Sequence, residues 1–536
     1  MSRAQWTRVL LFGVVLVAAA TRFAGLGWGV PDALHRYSYH PDEFFVVYPS
    51  VTIAGGDWNP HFFNYGTLYI YLAAVAAKAL TLFGFSPFAT DSLGPLHLVA
   101  RSVTALLGIG AVWLTYLIGR EMSGRAAGLI AAALLTICPL HLVNSHYATV
   151  DVPATFFVVL AAWASVRLMR RDQDRWYALA GLAVGLAAAT KYTMAAAVIF
   201  PVAAHLLAPA GSPADAFRHA RLLLALALIP AGFLIGCPYA LQLSGGIQLR
   251  PEFLRGALFE LRHIRQGGTF AFVESGSGWA YHALHGLPAG LGYPLLALAL
   301  VAVVCAIVRP RPASAVLVIW TLAYFLLIGF ARERFIRYLV PLTPFLMLLI
   351  GDLMARAREA PARRWPVAAT ALLLVGGLTA VYDGGQLARL VGPDPRDLAA
   401  PYAIGVTRPG GSVAVPDLPW YFTAPITPYD GGQLSRSAFE AWRATAPYEV
   451  VVTGWQSASL RAARPDTALV TDLEYLDAVR LGRPEVREYL GALEREFDRR
   501  TVFDNDRRSD WLGPAKAKAP PDWLYPWPGV TVYWKG

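Results

Sequence analysis

Apolar runs about as long as a bilayer is thick recur along the first two thirds of this chain, separated by short clusters of arginine. Roughly 20 apolar residues cross the hydrocarbon core as a helix, and a barrel strand needs only about half that. Backbone groups in lipid must be satisfied within the protein, so runs of this length point to helices. The composition agrees. Of 536 residues, 56% are hydrophobic and 15% are charged, against about 25% charge in soluble domains. Disorder, a coiled coil and an ordinary cytosolic enzyme are excluded. The net charge of +10 is spread over short clusters between apolar runs. It forms no continuous patch, so nucleic acid is not an expected partner. Cys138, Cys237 and Cys305 lie inside apolar runs, too far apart for a metal motif, and read as small core residues.

The basic clusters orient the runs. The first, Val9 to Ala24 behind Arg3 and Arg8, has a cleavage-like Ala18-Ala19-Ala20. A retained helix is expected, and either reading takes the chain to the non-cytoplasmic side. Thr67 to Phe85 carries Lys78 and would put later basic loops on the wrong side, so it reads as interfacial or re-entrant. Spans are expected at 98–119, 126–143, 152–168, 222–241, 287–308, 316–330, 338–354 and 367–381, with two short helices over 176–207 meeting at Lys191-Tyr192. That makes about eleven transmembrane helices. The turns Arg120–Arg125, Arg167–Arg175, Arg218–Arg221, Arg309–Arg311 and Arg356–Arg364 (with Arg358 and Arg363) then share the cytosolic face. Asp42, Asp151, Lys191 and Arg332–Arg337 share the other.

The expected fold class is thus an α-helical polytopic membrane protein with a C-terminal extracytoplasmic α/β domain. The membrane module takes residues 1–382, with a first outer loop at 25–97 bearing interfacial helices, and the mixed α/β domain takes 383–536. In the tail, 412–415, 449–453 and 530–534 read as strands and 473–497 as helical.

Three constellations carry chemistry. Tyr39-His40-Pro41-Asp42-Glu43 reads structurally as a helix start, since free N–H groups there favour acids. It reads functionally as a carboxylate pair at the membrane surface, whose members point about 100° apart and need not share a role. Asp151, before Pro153, reads as a helix cap or as a second acid on that face. Arg332-Glu333-Arg334-Phe335-Ile336-Arg337-Tyr338 puts three arginines where the positive-inside rule disfavours them. Snorkelling is the structural reading; an anionic partner is the functional one, because the planar guanidinium pairs with phosphate. Lys191 adds a point charge or an interfacial anchor. His40, His61 and Tyr65 are further candidate substrate contacts in the first loop. The segment 249–268 looks like an amphipathic helix covering the outer surface.

These residues, in this order, resemble the GT-C superfamily of lipid carrier-dependent glycosyltransferases, especially the protein O-mannosyltransferase and aminoarabinose transferase groups. The resemblance rests on His40-Pro41-Asp42-Glu43, Asp151, Ala189-Thr190-Lys191-Tyr192 and Arg337-Tyr338-Leu339-Val340-Pro341-Leu342-Thr343-Pro344, over roughly Arg8 to Asp352. Relatives often carry a basic residue and two prolines where this chain has Asn64-Tyr65-Gly66. The resemblance implies an inverting transfer of a sugar from a polyprenyl-phosphate carrier to a glycolipid, polysaccharide or protein acceptor at the outer face of a membrane, expected to be a bacterial inner membrane. It implies Asp42 as base, with Glu43 orienting Asp42 or the acceptor and Asp151 assisting. Lys191, Arg332, Arg334, Arg337 and Tyr338 would hold the donor phosphate. No obligatory cofactor is expected; a divalent metal, if used, would sit on Asp42 and Asp151. The rival class is a secondary transporter or lipid flippase, which would place its ionisable groups near the bilayer midplane.

Overall fold

A computed structural model of the chain describes residues 2–88, 93–171, 173–208, 218–243, 246–361, 364–429 and 436–536. Arg363, expected on the cytosolic face, lies outside them. Among the described residues, seven helices are long and apolar enough to cross a membrane: Ala4–Phe23, Gly94–Ser123, Asp151–Arg170, His219–Gly236, Pro312–Gly329, Ile336–Glu359 and Arg364–Val391. A further apolar pair, Gly278–Leu291 and Tyr293–Val308, bends by 117° around Gly292 at φ 73, the geometry of a broken span or a re-entrant loop.

The shorter runs show what limits a span. Leu68–Thr81 has 14 residues, about 21 Å of helix, and falls short of a core about 30 Å thick. The run at 126–143, expected as one crossing, is two helices, Arg125–Thr136 and Pro139–Asn144. Pro139 lacks an N–H and forces Cys138 into an extended conformation (φ -79, ψ 111), which ends the first helix. The run at 176–207 divides as expected, into Asp174–Thr190 and a stretch over Tyr192–Leu207, with Lys191 extended between them. Helices Asp174–Thr190 and Arg218–Gly236 pack backbone to backbone. A Cβ on Gly185 would lie 2.2 Å from the Ile229 carbonyl oxygen, which explains glycine where the driving force is close packing rather than water exclusion.

The basic turns gather at one end of the bundle. Glu121 holds Arg120, Arg167 and Arg170 at 3.1, 3.4 and 3.7 Å. Asp352 holds Arg356 at 2.7 Å and Arg311 at 3.4 Å, and accepts from Ser123 at 2.6 Å. The residues flagged for chemistry emerge at the opposite ends of the same helices: Asp151 opens Asp151–Arg170, and Arg337 lies in the first turn of Ile336–Glu359.

The last membrane helix runs on to Val391, and Pro395–Val406 follows it. The tail sheet has the strand order Glu449–Val452, Ser412–Val415, Thr467–Thr471, Val530–Trp534, Arg499–Phe503. The first three are parallel, and the last two join antiparallel. The central strand is buried throughout. Leu469 faces Ala399, Ala400 and Ala403 of one helix, and Ala468 and Val470 face Tyr489 and Leu493 of another. Period-two alternation thus buries both faces. The segment 473–497, expected as one helical stretch, is two helices, Asp472–Arg480 and Pro484–Glu496. Gly482 at φ 69 turns the chain between them, and Pro484 starts the second.

Candidate active site

Pro41 starts a short turn, Pro41–Glu43, that sends its two acids in different directions. Glu43 is fully buried. Its carboxylate takes Nε and Nη2 of Arg101 at 2.7 Å each, the Ser38 hydroxyl at 2.5 Å and the Ala148 N–H at 2.7 Å. Arg101 also donates to the carbonyls of Leu26 and Trp28 at 2.7 and 2.6 Å. Burial by itself would raise the Glu43 pKa, but the Arg101 guanidinium outweighs it and holds the group at about 2. Glu43, expected to orient Asp42 or the acceptor, anchors the turn that carries Asp42. It lies outside the cleft and ties the first loop to helix Gly94–Ser123 and to the segment before Asp151.

Asp42 points the other way, into a cleft lined by Val46, Tyr65, Thr149, Val150, Asp151, Lys191, Glu260, Arg337 and Tyr338. Its Oδ2 lies 2.7 Å from Nη2 of Arg337. Asp151 faces it with the Lys191 ammonium at 2.7 Å, and that ammonium sits over the Tyr338 ring, 4.4 Å from its centroid. Two carboxylate–cation pairs from four separate segments thus share one cleft. The local fold explains the convergence. Gly66 packs so tightly that a Cβ there would lie 2.0 Å from the Ala189 carbonyl oxygen. The Tyr192 hydroxyl donates to the carbonyls of Phe63 and Tyr65 at 2.8 and 2.9 Å. The Asn64-Tyr65-Gly66 segment is thereby fastened beside Lys191.

The remaining candidates separate. Arg334 is buried away from the cleft and donates to the Ser275 hydroxyl and the Phe272 carbonyl. Arg332 is exposed, and its backbone N–H donates to Ile264 at 2.9 Å. Neither lines the cleft, so the expectation that both hold a donor phosphate there is corrected: successive residues of a turn leave in different directions. His40 is buried against Tyr147 (4.4 Å between centroids) and the edge of Tyr525 (5.0 Å). Burial pulls its pKa down to about 4, against the opposing pull of Asp42 and Glu43, so it is a neutral packing group. His61 is exposed and bonded to Asp57 at 2.8 Å, outside the cleft. The expectation of direct substrate contact at His40 and His61 is corrected on these grounds.

Two residues of the site were not anticipated. Asp522, from the tail, accepts the N–H groups of Ile336 and Arg337 at 2.9 and 3.2 Å and lies 3.4 Å from Nη1 of Arg337. Arg337 is therefore held between Asp42 and Asp522. Glu260 comes from helix Pro251–Gln266. Burial raises its pKa, partly offset by Lys191, His263 and Arg337. The tail is tied to the same region. Arg396 pairs with Asp394 at 2.8 Å, donates to the carbonyls of Tyr421 and Tyr525, and lies over the Tyr39 ring at 3.7 Å. Trp28 donates to Asp394 at 3.0 Å.

The donor set does not fit a divalent ion. Asp42 and Asp151 each already close on a cation of the protein. No group of three or more His, Cys, Asp or Glu side chains placed to hold a metal occurs among the described residues.

Comparison with known proteins follows the same line. A family model described as dolichyl-phosphate-mannose-protein mannosyltransferase matches residues 88–234. An uncharacterized protein of Aquifex aeolicus (strain VF5) is 30% identical over 122 residues, 22% of this chain and 23% of its own. The "Putative mannosyltransferase YkcB" of Bacillus subtilis (strain 168) is 31% identical over 91 residues, 17% of this chain and 13% of its own. The matches thus span less than a quarter of those relatives' lengths. The crystal structure of ArnT from Cupriavidus metallidurans bound to undecaprenyl phosphate aligns over 99% of this chain and 98% of its own, with a TM-score of 0.50 and 15% identity. Archaeal oligosaccharyltransferase AglB from Archaeoglobus fulgidus, in complex with an inhibitory peptide and a dolichol-phosphate, aligns over 90% and 72%, with a TM-score of 0.50 and 13% identity. At these identities the likeness establishes the fold, and that fold is the GT-C membrane fold which the sequence resembles.

Proposed function

We propose that this chain, having the GT-C membrane fold, is an inverting glycosyltransferase that moves a sugar from a polyprenyl-phosphate carrier to an acceptor on the extracytoplasmic side of the membrane. One observation carries the reading. Asp42–Arg337 and Asp151–Lys191 face each other across one cleft, at the end of the bundle opposite the arginine clusters. By the positive-inside rule that end faces away from the cytosol. The ionisable groups sit at helix ends rather than at mid-span, as a surface reaction needs and a transport path does not.

The chemistry follows from the charges. The bond between the anomeric carbon and the carrier phosphate breaks, and its electron pair leaves on the phosphate. Arg337 and Lys191 are the fixed cations that offset this growing charge. The acceptor hydroxyl or amine attacks the opposite face of the sugar, inverting the anomeric centre, and gives its proton to Asp42. Positioned base catalysis of this kind contributes about 10²–10⁴-fold. Arg337 matches the phosphate with a planar pair of donors. As it turns toward the phosphate it loosens its hold on Asp42, so donor arrival frees the base. Asp151 sets the position of the Lys191 ammonium. No step needs a metal.

The test incubates membranes holding the full chain, or the variant Asp42→Asn, with radiolabelled undecaprenyl-phosphate sugars, with and without chelator. Wild type transfers label to a membrane or envelope acceptor with or without chelator, and the variant expresses normally and transfers none. Undiminished transfer by Asp42→Asn overturns the proposal, as does wild type that transfers none of the sugars offered.

A further inference from the structure

Helix Pro251–Gln266 has two faces. Leu254, Leu258 and Leu261 are exposed on one, the pattern of a helix lying on an apolar surface. The other face follows an i, i+4, i+7, i+11 line through Gly256, Glu260, His263 and Gly267. A Cβ on Gly256 would lie 2.6 Å from the Phe63 backbone, so the absence of a side chain there brings the helix down onto the first loop. His263 reaches Glu333 at 3.9 Å, and the Arg332 N–H donates to Ile264 at 2.9 Å. The helix is thus held at Gly256 and at its C-terminal end, and Glu260, one turn past the closest approach, enters the cleft.

This carboxyl differs from its neighbours. Asp42 and Asp151 each have a cation at 2.7 Å. Among the described residues, Glu260 makes no ion pair and no hydrogen bond. A third acid in a cleft that binds a phosphate is a liability through charge repulsion alone. Its two acceptor oxygens suit a different part of the donor, the neighbouring hydroxyls of a sugar ring, beside the Tyr65 and Tyr338 rings that line the same cleft.

We infer that Glu260 is a specificity-determining residue that accepts hydrogen bonds from hydroxyls of the transferred sugar, so that the cleft separates carrier recognition, by Arg337 and Lys191, from sugar recognition, by Glu260. This rests on the proposed glycosyl transfer and adds to it the residue that reads the sugar.

The two roles predict opposite effects for one substitution. In Glu260→Gln the charge is lost while shape is kept. Transfer from labelled undecaprenyl-phosphate sugar falls about tenfold or more, the scale of one lost charge-assisted hydrogen bond. Affinity for bare undecaprenyl phosphate, measured on the purified full chain in nanodiscs, stays the same or tightens, because a like charge has left the phosphate's surroundings. Glu260→Asp keeps the charge with a shorter reach, transfers less than wild type and ranks a panel of hexose and pentose donors differently. The inference is overturned if Glu260→Gln transfers like wild type, or if transfer and carrier affinity fall together, as loosening of the helix would cause. If wild type neither binds undecaprenyl phosphate nor transfers any sugar, the glycosyltransferase reading falls and takes this inference with it.

Discussion

Replacing Glu43 by glutamine separates a supporting acid from a reacting one. The side chain is fully buried and accepts four hydrogen bonds, two of them from the Arg101 guanidinium. Its pKa is lowered from 4.5 to about 2, a gap worth about 3 kcal/mol at neutral pH. The folded-state value lies below the unfolded one. The contribution is therefore complete above the unfolded value, fades as pH falls through the acid range, and is gone below about 2. Glutamine removes the charge and turns an amide N–H toward Arg101, so most of that contribution is lost. For a chain of this length the expected fall in Tm is roughly 3 °C, if the whole chain unfolds together. Alanine, which leaves Arg101 buried without its partner, costs about 3–5 kcal/mol. The assay is a fluorescence melt of the detergent-solubilised full chain between pH 3 and 8, alongside sugar transfer. Wild type loses thermal stability on acidification in this range, and Glu43→Gln has a lower Tm and a smaller acid dependence. A Glu43→Gln protein that melts like wild type at every pH yet has lost transfer would refute the reasoning and return Glu43 to the chemistry.

Other perturbations follow from the same contacts. Arg337→Lys keeps a charge but loses the planar pair of donors that engages phosphate while Asp522 holds the side chain; transfer falls about a hundredfold in kinetic assays, whereas the exposed Arg332→Ala stays within about twofold. Asp151→Asn and Lys191→Met each leave a buried partner uncompensated, so each lowers Tm by more than the double variant does, by the logic of a double-mutant cycle. His40, with a pKa of about 4, is neutral at ordinary pH, so His40→Gln leaves the shape of the pH–rate profile between 5 and 8 unchanged.

Much of this site is legible in the sequence because sidedness is. Run lengths and arginine clusters put Asp42, Asp151, Lys191 and Arg337 at one end of the bundle, and the structure closes them on one cleft with Tyr65 and Tyr338. Direction within a turn is not legible. Asp42 and Glu43 are adjacent, yet one faces the cleft and the other Arg101. Arg332, Arg334 and Arg337 part in the same way. Glu260 escaped notice because the apolar spacing of its helix announces a surface cover, while the inward face is marked only by glycines. Asp522 stands 185 residues from Arg337, and no local pattern links them. The strand Thr467–Thr471 is buried at every position and no position of Arg499–Phe503 is buried, so neither carries the buried/exposed alternation that marks a half-buried strand.

The central claim is that a lipid phosphate docks between Arg337 and Lys191, beside Asp42. The most direct measurement is an electron cryomicroscopy structure of the full chain in nanodiscs with undecaprenyl phosphate. The account predicts the headgroup within hydrogen-bond reach of Arg337 and Lys191, with the Arg337–Asp42 pair loosened. A headgroup seated at the arginine clusters of the other bundle end, or a cleft left unchanged at saturating carrier, would contradict it.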